Sequence, residues 1–242
     1  KFDVVKEERD FESTVPRGKL GIQDGDMEKE YLKTLNDAKP HFVYVWFTLS
    51  SHMPYDFPGE KKNLSKLEND YSNSITYADH AFQQFFSEAR KQDWYKNTLF
   101  VIVADHSHGS HKDFSVYDPE YHRIPLLFFG DVIEDTLKGR NIEDVYSQTD
   151  IVKTVLNQMG LQEESKKYVW SKDMLNPFTR PFAYFCNFSG AGMVENEGLI
   201  AYQHDLKDLI FNTFEKSPVK ADSLTLFSKA FQQSVYEDYR LK

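Results

Sequence analysis

Asp105 and His106 stand side by side at the end of the apolar run Thr98–Ala104. A carboxylate next to an imidazole is a ligand pair suited to Zn2+ or Mn2+. Three more histidines, His108, His111 and His122, follow within sixteen residues of His106. Such density in a loop can complete a metal shell or hold a phosphate. His122 is the strongest of the three, because it immediately precedes the next apolar run, Ile124–Gly130, and so belongs beside the dyad at one sheet edge. His52 follows a further apolar run, Phe42–Leu49, in the segment Ser50-Ser51-His52-Met53-Pro54, where it could donate a proton or bind an anion. Arg17, Lys19 and Arg123 are further candidates for holding an oxyanion. A purely structural metal centre on His106, His108 and His111 is an alternative use of the same residues.

These residues need elements to position them. The runs Phe42–Leu49 and Thr98–Ala104 are apolar enough to predict strands buried on both faces, as in parallel sheets, and ligands in open α/β folds gather beyond the carboxyl ends of such strands. Met27, Tyr31, Leu32 and Leu35 recur at helical spacing, and Lys39-Pro40 blocks continuation. From Asp70 onward Tyr71, Ile75, Ala78, Phe82, Phe85 and Ala89 predict a long amphipathic crossover helix ending near Gln92. Ser147-Gln148-Thr149-Asp150 opens another helix, carried by Ile151, Val152, Val155, Leu156 and Met159 and closed by Gly160. Tyr168–Trp170, Phe182–Phe185 and Leu199–Tyr202 read as short strands, followed by a helix over 223–239. The first 25 residues read as irregular, with room for one short strand. The fold class that follows is α/β: a mostly parallel sheet flanked by helices over residues 1–162, and a small antiparallel sheet plus helix over 163–242.

Composition narrows the function. With 29 basic against 38 acidic residues the net charge is −9, which argues against nucleic acid as a partner. A single cysteine, Cys186, excludes an internal disulfide framework and a multi-cysteine metal site. The 20 Phe and 14 Tyr predict an aromatic core. No run is long and apolar enough to cross a membrane, and Lys1-Phe2-Asp3 begins neither with methionine nor with a signal-peptide pattern, as expected of an excised or processed piece. Walker, Gly-x-Ser-x-Gly and Gly-x-Gly-x-x-Gly patterns are absent, so nucleotide kinases, lipases and dehydrogenases recede.

Three segments, Phe47-Thr48-Leu49-Ser50-Ser51-His52-Met53-Pro54-Tyr55, Asn97–His106 and His122-Arg123-Ile124-Pro125-Leu126-Leu127, together resemble the alkaline phosphatase superfamily. The likeness is to its lipoteichoic acid synthase and phosphoglycerol transferase branch, whose catalytic parts are called sulfatase domains. Tyr71–Asp79 and Ser147–Ile151 also resemble stretches of that family, and the likeness covers roughly residues 20–160. The resemblance implies that Asp105 and His106 bind a catalytic divalent metal, with Mn2+ foremost and Zn2+, Mg2+ or Ca2+ as other options. It implies that His52, with His122 in second rank, contacts a phosphodiester or sulfate-ester headgroup. The family's nucleophilic threonine matches no residue of this chain, which resembles the carboxyl-terminal half to two-thirds of a catalytic domain. The expected partner is therefore the preceding part of that domain, and the fragment alone is expected to be inactive. Leu20 stands where the family commonly has tryptophan before the glycine of Leu20-Gly21-Ile22-Gln23-Asp24. Cys186-Asn187-Phe188-Ser189-Gly190 does not fit the cysteine motif of formylglycine sulfatases. The implied setting is extracytoplasmic, in the periplasm or on the outer face of a bacterial cytoplasmic membrane, with any membrane anchor outside these residues. The alternative is a catalytically silent module of the same fold that binds an anionic envelope glycan or lipid headgroup through His52 and Arg123.

Overall fold

The computed structural model describes residues 2–58, 66–108 and 114–241, with the side chains of 66–69 excepted. Two compact units emerge, one of residues 1–102 and 127–138, the other of residues 103–126 and 139–242.

In the first unit two helices carry an aromatic cluster. Helix α1, Asp24–Asn36, has Asp24 and Asp26 in its first turn and Lys33 in its last, each on the side the helix dipole favours. Helix α2, Lys66–Ala89, packs along it. Leu35, Phe85, Ala89 and Tyr95 are buried between them, with Tyr31, Phe42, Trp46, Phe86 and Phe100 packed around. Burial of the Tyr31 ring pushes its phenol well above the ordinary value. The aromatic core read from composition is present, and Ala81, on the buried side of α2, extends it.

Residues 42–49 do not form the buried strand predicted for them. The segment is extended but has no strand partner among the described residues. Its alternation is nonetheless that of a strand. Phe42 and Trp46 reach the aromatic cluster, while Val43, Val45 and Phe47 are 78%, 64% and 65% exposed. Strand β1, Phe100–Val103, and strand β2, Leu126–Phe129, pair with each other. The start of β2 just after Pro125 agrees with the sequence. Burial of β1 on both faces does not hold, since Val101 and Val103 are exposed. At the end of β2, Gly130 has φ +138°, and a Cβ there would lie 2.5 Å from the Thr98 carbonyl oxygen, so only glycine allows this approach.

Glu28 lies on α1 with 3% of its surface exposed. Burial, with Glu88 adding to it, holds its carboxyl above the ordinary 4.5 although Lys29 pulls the other way. A raised acid means the folded chain binds the proton more tightly than the unfolded one, so the ionised form lowers stability at neutral pH. Glu28→Gln should raise the melting temperature at pH 7, and the gain should fade as pH falls through the raised value towards 4.5. Melting curves at pH 7 and pH 4.5 check this; an equal gain at both would exclude the charge as its source.

In the second unit, helix α3 (Pro119–His122) precedes β2, and helices α4 (Asp150–Gln158) and α5 (Gln162–Ser165) follow the return of the chain. Strands β3 (Ala183–Cys186), β4 (Gly190–Glu195), β5 (Gly198–Gln203) and β6 (Asp208–Asn212) form an antiparallel meander in that order. Helix α6, Pro218–Arg240, lays Ala221 and Leu224 against Met193 and Ile200 of the sheet. The predicted antiparallel sheet and closing helix are therefore present, with two strands, β4 and β6, beyond those read from sequence. Tyr168–Trp170 is a turn after α5 rather than a strand. Trp170 there packs its ring on Phe231 and donates from Nε1 to Asp238 at 2.9 Å, which holds the chain across the sheet helix instead of along a strand.

The first turn of α4 is fixed by a buried ion pair. The Asp150 carboxylate, wholly buried, accepts from the backbone N–H of Ser147 (2.8 Å) and of Lys172 (2.7 Å), and pairs with Lys172 Nζ at 2.8 Å. The Lys172 ammonium also lies 3.8 Å above the centre of the Phe182 ring. Burial draws the Lys172 pKa below its ordinary value even though Asp150 opposes this.

Candidate active site

The chain passes from the first unit to the second within β1, and the strand delivers Ala104, Asp105 and His106. Gln148, one turn ahead of α4, fixes the backbone here. Its Nε2 donates to the carbonyl oxygens of Ala104 (2.5 Å) and Asp105 (3.0 Å), using both amide hydrogens. In the sequence Gln148 is one polar residue of Ser147–Ile151, with nothing to mark it for this role.

On that rigid peptide the two side chains face each other. Asp105 Oδ1 accepts from the His106 backbone N–H at 2.9 Å, and His106 Nδ1 lies 2.8 Å from the Ser107 carbonyl oxygen. A carbonyl only accepts, so Nδ1 carries a proton, and in the neutral ring Nε2 keeps its lone pair. That Nε2 lies 3.6 Å from Asp105 Oδ2, with side chains 70% and 57% exposed. Two hard or borderline donors thus lie close together on solvent-exposed side chains. A backbone carbonyl fixes the tautomer, as it does in known metal-binding histidines. The donor set fits a divalent ion as two of its ligands. Among the described residues no group of three such side chains forms, and His111 lies outside those residues.

His122 ends α3, whose first turn is capped by Asp118 accepting from the Glu120 N–H at 3.0 Å. Its Nε2 lies 2.8 Å from the Val116 carbonyl oxygen, and its ring stacks on Phe185 with centroids 4.0 Å apart. Ser107 Oγ donates to the Tyr121 carbonyl oxygen. That bond ties the segment after the dyad to the turn that carries His122. Phe185 can lie flat there because β4 has Gly192 opposite; a Cβ at that position would come within 2.1 Å of the ring. Arg123 is exposed and pairs with Glu120 at 3.4 Å. His108 is exposed.

His52 belongs to the first unit, where its loop is mounted on the start of α1. Asp24, 1% exposed, accepts from the Leu49 N–H (2.9 Å) and the Ser50 N–H (3.1 Å), and Ser50 Oγ accepts from the Asp24 N–H at 3.0 Å. The turn continues with His52 N–H donating to Leu49 O at 3.0 Å and Tyr55 N–H to His52 O at 2.8 Å. His52 Nδ1 lies 2.6 Å from the Met53 carbonyl oxygen, so Nε2 is again the free ring atom, on an exposed side chain. Beside this loop a recess of about 10 Å³, room for about one water, is lined by Leu20, Gly21, Leu49, Ser50 and Asp56 among others. Arg17 does not offer its guanidinium to a ligand. It donates to the carbonyls of Glu8, Phe11, Glu12 and Val15 and pairs with Glu8 at 3.4 Å.

The sulfatase family model matches residues 5–161, more than half of the chain. The chain belongs to the sulfatase family. This sulfatase-family chain is 26% identical over 188 residues to lipoteichoic acid synthase 2 of Bacillus subtilis, covering 69% of its own length and 28% of that protein. It is 25% identical over 179 residues to the low-salt glycan biosynthesis sulfotransferase Agl7 of Haloferax volcanii, covering 66% of itself and 42% of that relative. Its fold matches the crystal structure of a protein in the alkaline phosphatase superfamily from Vibrio parahaemolyticus with a TM-score of 0.69 at 22% identity, over 96% of this chain and 60% of the other. The chain therefore has the alkaline phosphatase superfamily fold, mixed α/β with a small antiparallel sheet at its carboxyl end, and spans less than half the length of these curated relatives. No helix among the described residues is long and apolar enough to cross a membrane.

Proposed function

We propose that this chain is part of a metal-dependent, phosphoglycerol transferase-like or sulfatase-like enzyme that acts on a phosphodiester or sulfate-ester headgroup outside the cytoplasm. The observation that carries the reading is the 3.6 Å approach of His106 Nε2 and Asp105 Oδ2, on exposed side chains of a peptide clamped by Gln148. Asp105 and His106 would hold the divalent ion, with Mn2+ first and Zn2+, Mg2+ or Ca2+ after it. A bound ion would supply charge that lowers the pKa of an attacking hydroxyl and offsets charge on phosphoryl or sulfuryl oxygens. His52 Nε2, freed by the Nδ1 bond to Met53, accepts a hydrogen bond when neutral and donates one to an ester oxygen when protonated. His122, fixed through Nε2, presents its remaining ring edge to the headgroup. The threonine nucleophile and further metal ligands come from polypeptide outside these 242 residues, which is also where a membrane anchor would lie.

The test uses the full-length polypeptide. Calorimetric titration with Mn2+ should show one tight site, and cleavage of a glycerophosphodiester or an aryl sulfate should stop on chelation and return with Mn2+. Anionic headgroup binding without metal uptake or turnover would overturn the reading. The chain would then be a silent module that uses His52 and Arg123.

A further inference from the structure

Met193 and Ile200 of the meander pack against α6, so Gly192, which alternates with Met193, and its cross-strand partners Phe185 and Ala201 belong to the opposite face of the sheet. The segment that carries His122 lies against that opposite face. A Cβ on Gly190, two residues before Gly192 and on the same face, would stand 3.1 Å from Tyr117 Cε1. Phe185, 9% exposed, lays its ring over Gly192, where a Cβ would meet Cζ at 2.1 Å and Cε1 at 2.3 Å. The imidazole of His122 stacks on the outer side of this ring, with centroids 4.0 Å apart and planes inclined by 23°. All of these residues belong to the second unit.

Two restraints act on the His122 ring. The Phe185 face fixes the plane of the imidazole, and the 2.8 Å contact of Nε2 with the Val116 carbonyl oxygen fixes its rotation within that plane. Nδ1, the other ring nitrogen, is left with one direction. We propose that Phe185, seated on Gly192, is the positioning residue of His122, so that the meander aims the imidazole at the ester oxygens of the headgroup. The proposal rests on the reading of His122 as a headgroup contact. Phe185 carries no polar atom, so it acts on the headgroup through the imidazole. A branched aliphatic side chain would cover similar area, but it offers no flat face to hold an imidazole in one plane. Both Phe185 and Gly192 lie beyond residues 5–161, so the part of the chain outside the family match takes part in the site.

A double-mutant cycle in the full-length polypeptide, read as KM for bis(para-nitrophenyl) phosphate, tests this. Phe185→Leu should raise KM about 10-fold, the upper end of what one aromatic pair contributes. In a His122→Ala background it should change nothing further. Calorimetric Mn2+ uptake should stay as it is, because Gln148 holds the peptide of the dyad; a general loosening of the second unit would weaken it. Proton NMR reads the stack directly: the His122 Hε1 signal, shielded by the Phe185 ring, should move downfield in Phe185→Leu. Gly192→Ala, whose Cβ displaces the ring without touching His122, should reproduce both the KM rise and the shift. An effect of Phe185→Leu that is equally large with and without His122, or an unmoved KM beside a His122→Ala that does raise it, would overturn the inference alone. A KM unchanged in His122→Ala would strike the headgroup role of His122 and the inference with it.

Discussion

Asp105→Asn should lower the kcat/KM of the full-length enzyme at least about 1,000-fold, the several kcal/mol that a catalytic divalent ion supplies to transition-state charge. Asparagine keeps the size of the side chain and an oxygen that can accept from the His106 N–H, so the mount on Gln148 survives. What goes is the negative charge facing His106 Nε2, and with it affinity for a divalent cation. With more than half of the side chain exposed, folding should change by less than about 0.5 kcal/mol. Metal content by elemental mass spectrometry, kcat/KM at saturating Mn2+ and a melting curve separate these terms. Unchanged kcat/KM at low Mn2+ would remove Asp105 from the metal.

The largest stability effect belongs to Asp150. Asp150→Ala should destabilise the protein by about 3–5 kcal/mol, the cost of breaking a buried ion pair from one side. Three donors lose their acceptor together: the Ser147 and Lys172 N–H groups and the Lys172 ammonium, whose side chain is 15% exposed. The double variant Asp150→Leu with Lys172→Met should recover part of the loss by removing the stranded charge, while the two amides stay unpaired. Urea unfolding of Asp150→Leu, Lys172→Met and the double variant forms the cycle, with Asp150→Ala measured beside it. A loss under about 1 kcal/mol in Asp150→Ala would show that water reaches Lys172 freely and that the pair contributes little.

Local chemistry was legible wherever neighbours in sequence are neighbours in space. The periodicity of Phe82, Phe85 and Ala89 gives α2, Pro125 marks the start of β2, and Gly160 with φ +74° closes α4 as expected. Pairing partners were not legible. The run 42–49 has the composition of an interior strand, but a strand exists only with its neighbour, and that is a non-local fact. Strand β4 was missed because Gly190-Ala191-Gly192 reads as a turn, whereas Gly192 is needed so that the Phe185 ring can cross it. At the site, Asp105 and His106 were legible as ligand types after a strand. Gln148, 43 residues beyond Asp105, carried no signal of its own, since an amide that grips two carbonyls looks like any polar residue before a helix. Asp24 was likewise hidden, because a buried carboxylate satisfied by two backbone amides has the sequence of an ordinary first-turn acid.

Gln148 and Asp150 share one short turn, the first holding the peptide under the dyad and the second anchored among buried groups. Lys172, which pairs with Asp150, lies over Phe182 of the meander's core, so the same anchor that ties this turn to the sheet also holds the backbone under the dyad. Loosening Asp150 therefore disturbs a pair of residues it never touches.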